Sequence, residues 1–86
     1  MVSTKVTIKN RLGLHARPAT QLTTVCQKFS CDIELQTETT SINPKSIISI
    51  LSGAVKQGAK LTIITNGPGE QEANNAIREY LENLTE

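Results

Sequence analysis

Aromatic side chains are almost absent from these 86 residues: tryptophan does not occur, and Phe29 and Tyr80 make up the whole 2% aromatic share. Both fall on helical apolar stripes, which leaves no platform for stacking bases and argues against an RNA-binding module. Histidine occurs once and cysteine twice, with no CxxC pair, so the usual zinc spacings are missing and no metal site is expected. Neither charge sign dominates. Nine Lys+Arg against eight Asp+Glu give a net charge of +1, too little to hold nucleic acid or an anionic membrane, so any anion must be handled locally. No apolar run approaches the roughly 18 residues of a membrane span, and MVSTKVTIKN lacks the apolar centre of a signal peptide. A cytoplasmic chain with no membrane insertion is expected, its Cys26 and Cys31 held as inert free thiols. Repeats and low-complexity segments are also lacking.

What is present reads as one small domain spanning 1–86, large enough to fold on packing alone. In STKVTIKN, Val6 and Ile8 alternate with polar residues, which predicts a strand over Thr4 to Lys9. From Ala16 the period changes, and Ala19, Leu22, Cys26 and Phe29 mark a first helix. Alternation returns in CDIELQT, and a short run from Thr40 to Ile42 is expected to pair with it as a hairpin. No Gly or Asn occupies Thr37 to Thr40, so its turn has little of the usual chemistry. Ile47, Ile50, Leu51, Ala54 and Val55 fit a short helix from Ser46, KLTIIT a strand, and Ala73, Ala76, Ile77, Tyr80, Leu81 and Leu84 a final helix. The order strand, helix, strand, strand, helix, strand, helix implies an α+β domain: one antiparallel sheet covered on one face by helices, with the other face wet.

The single imidazole sits in RLGLHARPATQL. His15 falls at a strand-to-helix junction, where first-turn N–H groups and the positive end of the helix dipole welcome an anion. Arg17 can offer paired donors to phosphate oxygens. Pro18 fits a first turn because its missing N–H would have had no intrahelical partner, and Gly13 permits close backbone approach. These residues can form a phosphoryl seat. They can equally be a capping or surface histidine beside a solvated arginine.

With GLHARPA at 13–19 and PKSI at 44–47 the chain resembles the HPr family of phosphocarriers of the bacterial phosphoenolpyruvate-dependent phosphotransferase system, over nearly its whole length. The resemblance implies an open-faced β-sandwich with strand order 1-4-2-3 and three helices on one face. It also implies that enzyme I passes a phosphoryl group to Nδ1 of His15, seated by Ala16 and Arg17, and that an enzyme IIA-type domain takes it onward, with no cofactor. Such a carrier is not an independent catalyst. Docking transiently to several partners, it is expected to be a monomer.

Ser46 reads on its own as a helix N-cap, while in some family members a dedicated serine kinase/phosphorylase modifies the matching residue. Periodicity makes Ile47 and Leu51 core. The resemblance instead places Ile47, Ile48 and Leu51 on a partner-docking surface bordered by Thr20 and Thr24, and Ile48, off the stripe, favours such a patch. Two departures touch local geometry: Thr39 stands where the family often has glycine, and Gly53-Ala54 replaces a common hydrophobe-glycine pair. The expected role is in sugar uptake and its regulation; a nitrogen-regulatory branch, or an interaction module controlled only at Ser46, is the alternative. An acylphosphatase-like enzyme would share the element order, but its phosphate-cradling loop is not recognisable.

Overall fold

The computed structural model describes residues 1–85. Its elements follow the expected order: β1 (Val2–Thr7), α1 (Ala16–Gln27), β2 (Asp32–Gln36), β3 (Ser41–Ile42), α2 (Ile47–Ser52), β4 (Lys60–Asn66) and α3 (Glu70–Glu82). The four strands form one antiparallel sheet in the order β1-β4-β2-β3. Val6, Ile33, Leu35, Leu61 and Ile63 turn inward, while Ser3, Lys5, Asp32, Gln36 and Lys60 line the open face. α3 lies on β1 and β4, and α1 lies beside α2 and α3. Together they enclose a core that includes Ile8, Leu14, Leu22, Ile50 and Ile77. No helix among the described residues is long and apolar enough to cross a membrane.

β1 begins two residues earlier than alternation predicts and ends two residues sooner, at Thr7. Its partnership with β4 outlasts the regular ladder, since the Ile8 N–H donates to the Ala59 carbonyl at 2.8 Å and the Gly58 N–H to the Ile8 carbonyl at 2.7 Å. The hairpin forms without glycine because Thr37 supplies the turn. Its hydroxyl accepts from the Thr39 and Thr40 amides at 3.3 and 3.0 Å, and the Thr37 N–H donates to the Thr40 carbonyl, a side-chain turn of the kind threonine can make. Across the β2–β3 pair Glu34 accepts from the Ser41 hydroxyl, and within β2 it accepts from Gln36. These bonds, Ser41's first, hold its carboxyl below the usual range.

Asn74 reads in the sequence as one polar residue within α3, yet it is fully buried. Its amide donates to the Val2 carbonyl (3.2 Å), the Ile63 carbonyl (3.1 Å) and the Thr65 hydroxyl (3.3 Å), while its oxygen accepts from the Thr4 hydroxyl (2.6 Å). One side chain thus ties α3 to both β1 and β4. At the same end of the sheet, the Met1 ammonium pairs with Glu70 at 2.7 Å.

α2 stops at Ser52, so Ala54 and Val55 lie beyond it rather than on its stripe. A Cβ on Gly53 would run into the Ile42 side chain, which explains the glycine there. The left-handed position after the helix, usually glycine, falls instead to Ala54 at φ 51. An alanine held there stores strain. Ala54→Gly is therefore expected to raise stability by about 0.5–1 kcal/mol, after the glycine's extra unfolded-state entropy is subtracted. Chemical denaturation measures the change, and a loss of stability would show that the turn is unstrained.

Cys26 and Cys31 are both free and buried. Burial pushes the Cys26 thiol up to about 12, against the opposing charge of Lys45. That makes it a poor nucleophile, in keeping with a packing role.

Candidate phosphoryl-transfer site

The β1–α1 loop is built to present residue 15. The Asn10 side chain is buried and donates to the Gly13 carbonyl at 2.7 Å, the Gly13 N–H donates back to the Asn10 carbonyl at 3.3 Å, and the Leu14 N–H reaches the Val55 carbonyl at 3.1 Å. Gly13 has φ +64, and a Cβ there would collide with the Val55 carbonyl oxygen and the Lys56 Cα. Only glycine lets the loop lie flat on the segment that follows α2. Asn10 carried no distinguishing signal in the sequence beyond its place in a turn.

His15 occupies the N-cap of α1 with extended backbone (φ −80, ψ −172). Its carbonyl accepts the Ala19 N–H at 2.9 Å, the first full turn of the helix. The side chain makes no cap bond, so the ring is not spent on closing the helix, and the capping reading of His15 fails. The residue is half-buried, with Nε2 shielded from solvent. Ala16 and Arg17 follow as exposed first-turn residues, and helix geometry gives their N–H groups no intrahelical acceptor. Buried Pro18 has no N–H to satisfy. The structure thus brings together His15, Ala16 and Arg17 at one helix start, where the first-turn backbone and the helix dipole favour an anion.

The second candidate region borders the first. Gln27 at the end of α1 donates to the Lys45 carbonyl at 3.3 Å, and Lys45 Nζ donates to the Phe29 and Cys31 carbonyls, both at 2.9 Å. Ser46 caps α2, its hydroxyl accepting the Ser49 N–H at 3.3 Å. Ser49 in turn accepts the Asn43 N–H at 2.9 Å. Of the α2 hydrophobes only Ile50 is core. Ile47 is 38% exposed, Ile48 77% and Leu51 44%, which corrects the expectation from periodicity that Ile47 and Leu51 are interior. Six residues make fewer than two turns, so only one side chain of this helix reaches inward. Thr20 and Thr24 are exposed along α1, their hydroxyls returned to the Ala16 and Thr20 carbonyls at 2.9 and 3.1 Å.

Charge is sorted in a way the near-neutral total conceals. Residues 8–29 and 43–59, which build both regions, contain no Asp or Glu, whereas every acidic residue lies at 32–38 or from Glu70 onward. The segments that carry both regions are therefore cationic and apolar.

Residues 2–83 match the family model described as "PTS HPr component phosphorylation site". The chain belongs to the HPr family. It is 37% identical over 81 residues to the phosphocarrier protein HPr of Lysinibacillus sphaericus, covering 94% of this chain and 92% of that one. Among solved structures, HPr from Thermoanaerobacter tengcongensis superposes with a TM-score of 0.91 at 36% identity, over 95% of this chain and 92% of that one. Crh, a catabolite-repression protein of Bacillus subtilis whose crystal structure is described as a swapped dimer, is 35% identical with a TM-score of 0.77, over 95% of this chain and 94% of that one. Membership in the HPr phosphocarrier family of the phosphotransferase system accounts for the fold, including the 1-4-2-3 strand order that alternation alone could not choose.

Proposed function

We propose that this chain is a phosphoryl relay: phosphorylated enzyme I delivers the group to Nδ1 of His15, and an enzyme IIA-type domain removes it. The observation that carries the reading is His15 at the N-cap of α1, its side chain making no cap bond and its Nε2 shielded, within residues that match the family's phosphorylation-site model; Nδ1 is the nitrogen that attacks. Its lone pair forms the new P–N bond as the donor's bond to phosphorus breaks, and the reverse exchange hands the group on. The Ala16 and Arg17 amides with the Arg17 guanidinium stabilise the oxygens in transit, and their exposure lets the next acceptor replace them. Both exchanges take place in the cytoplasm, between one copy of the chain and each partner in turn.

Radiolabelled phosphoenolpyruvate with a cognate enzyme I should give an acid-labile, base-stable adduct that is absent from His15→Ala. Failure of the native chain to label beside an active enzyme I would remove the proposal. Arg17→Ala is expected to slow transfer about 10- to 100-fold with the fold retained, because the residue is exposed and its guanidinium is lost as a phosphate partner. Rapid-quench kinetics measures the rate, and unfolding of this variant would mark Arg17 as structural.

These cationic, apolar segments fit a partner surface that is apolar at its centre and acidic around it. Ile48→Asp is expected to weaken docking to enzyme I at least about tenfold, a typical loss for a buried interface anchor, and to shift the melting temperature by less than about 3 °C. A large fall in melting temperature would place Ile48 in the core.

A second reading has its own support in the likeness to Crh and in the half-buried α2 cap: phosphate on Ser46, added by a serine kinase, would put negative charge beside Ile47 and Ile48 and repel an acidic partner. Labelling at Ser46 but not at His15 would favour a purely regulatory module. Sugar uptake and nitrogen control are separated by which enzyme I charges the chain. The swapped dimer described for Crh sets the alternative to single-copy action, and sedimentation distinguishes the two.

A further inference from the structure

Resting on the relay reading, one exposed hydrophobe is left without a role. Large apolar side chains are exposed among the described residues at Met1, Ile47, Ile48, Leu51 and Leu12. Leu12 is 60% exposed and stands three residues before His15, far from the chain terminus that explains Met1. Its backbone is not free to fold the side chain away. Residues 10 and 13 are cross-bonded around it, and the next two residues lie against Val55 and Lys56.

We infer that Leu12 is a second apolar anchor for the phosphoryl donor, extending the α2 docking patch across the His15 loop. Backbone connectivity supports this: Leu51 belongs to the last turn of α2, the chain runs on through Gly53 to Val55, and the Val55 carbonyl accepts the Leu14 N–H of the loop that displays Leu12. The surrounding segments hold cations and no carboxylates, so the occupant is a protein surface apolar at its centre and acidic at its rim, and on the relay reading the protein that must approach His15 as phosphoryl donor is enzyme I. A hydrophobe held on the braced loop that leads into His15 costs little ordering entropy on docking and fixes the approach of donor to acceptor. Leu12 is thus a specificity-determining contact that touches the partner and not the phosphate.

The test separates docking from chemistry. Wild type, Leu12→Ser and Leu12→Asp are phosphorylated either by enzyme I with phosphoenolpyruvate or by phosphoramidate, a small donor that needs no protein interface. The expected result is a KM for the enzyme I route raised about tenfold by Leu12→Ser and more by Leu12→Asp, as loss of a buried leucine and then an added repulsive charge require. The phosphoramidate rate and the melting temperature should stay as in wild type. An unchanged KM overturns the inference, as does an equal loss by both routes, which would place Leu12 in the loop's own chemistry. If wild type labels at His15 by neither route, the relay reading falls and takes this one with it.

Discussion

Asn74→Ala is expected to lower the melting temperature by about 10–20 °C. The buried amide makes four hydrogen bonds, to Val2, Thr4, Ile63 and Thr65, and alanine leaves those groups without its partnership inside a sheet-to-helix seam. Unmet buried polar groups cost roughly 1–3 kcal/mol each when isolated. The strand carbonyls keep ladder partners and the threonine hydroxyls can turn, so about 2–3 kcal/mol is expected for the site as a whole. At 4–8 °C per kcal/mol for a domain of this size, that gives the stated shift. Asn74→Asp should be no milder, because it removes the donors and buries a carboxylate. A shift under about 5 °C would mean that water enters the seam and replaces the amide.

Gly13→Ala is expected to lose both stability and transfer. The added carbon meets backbone on its neighbour, the Val55 carbonyl oxygen and Lys56 Cα, and φ is +64; neither strain is relieved by a side-chain rotation. A cost of about 2–4 kcal/mol follows from steric overlap added to left-handed backbone. Because the loop then lifts from the 55–56 segment, His15 shifts relative to Arg17, and a misplacement near 1 Å is worth about a hundredfold in rate. Gly58 supplies the control. Its φ is +88 but a Cβ there meets nothing within 4 Å, so Gly58→Ala should cost only about 1 kcal/mol and leave phosphorylation rates unchanged. Equal effects of the two substitutions, by denaturation and by rapid-quench kinetics, would show that the Gly13 contact does not position the site.

The parts of this molecule that were legible in the sequence are those where one periodicity dominates. β1, β2 and β4 alternate because one face is wet and one packed, and α3 shows its stripe because a single face is buried. His15 at a helix start was readable because Gly13 and Pro18 bracket it with residues whose backbone needs are specific. α2 was harder. Four of its six residues are Ile or Leu, so no stripe distinguishes Ile50, which is core, from Ile47 and Leu51, which are exposed. The β2–β3 turn relies on a threonine side chain instead of a glycine backbone, and no pattern rule singles out Thr37. Asn74 and Asn10 act through partners distant in the chain or through one loop's geometry, which a linear reading does not bring together. The sorting of charge is written in the sequence, but its meaning emerges only when residues 8–29 and 43–59 are seen to share the site.

The central claim is that His15 Nδ1 carries the phosphoryl group at the start of α1. With one histidine in the chain, ¹⁵N-histidine labelling gives an unambiguous spectrum. After incubation with enzyme I and phosphoenolpyruvate, the account predicts a single phosphoramidate ³¹P resonance coupled to Nδ1, and amide shifts centred on Ala16 and Arg17. Coupling to Nε2, or phosphate found only on Ser46, would contradict it.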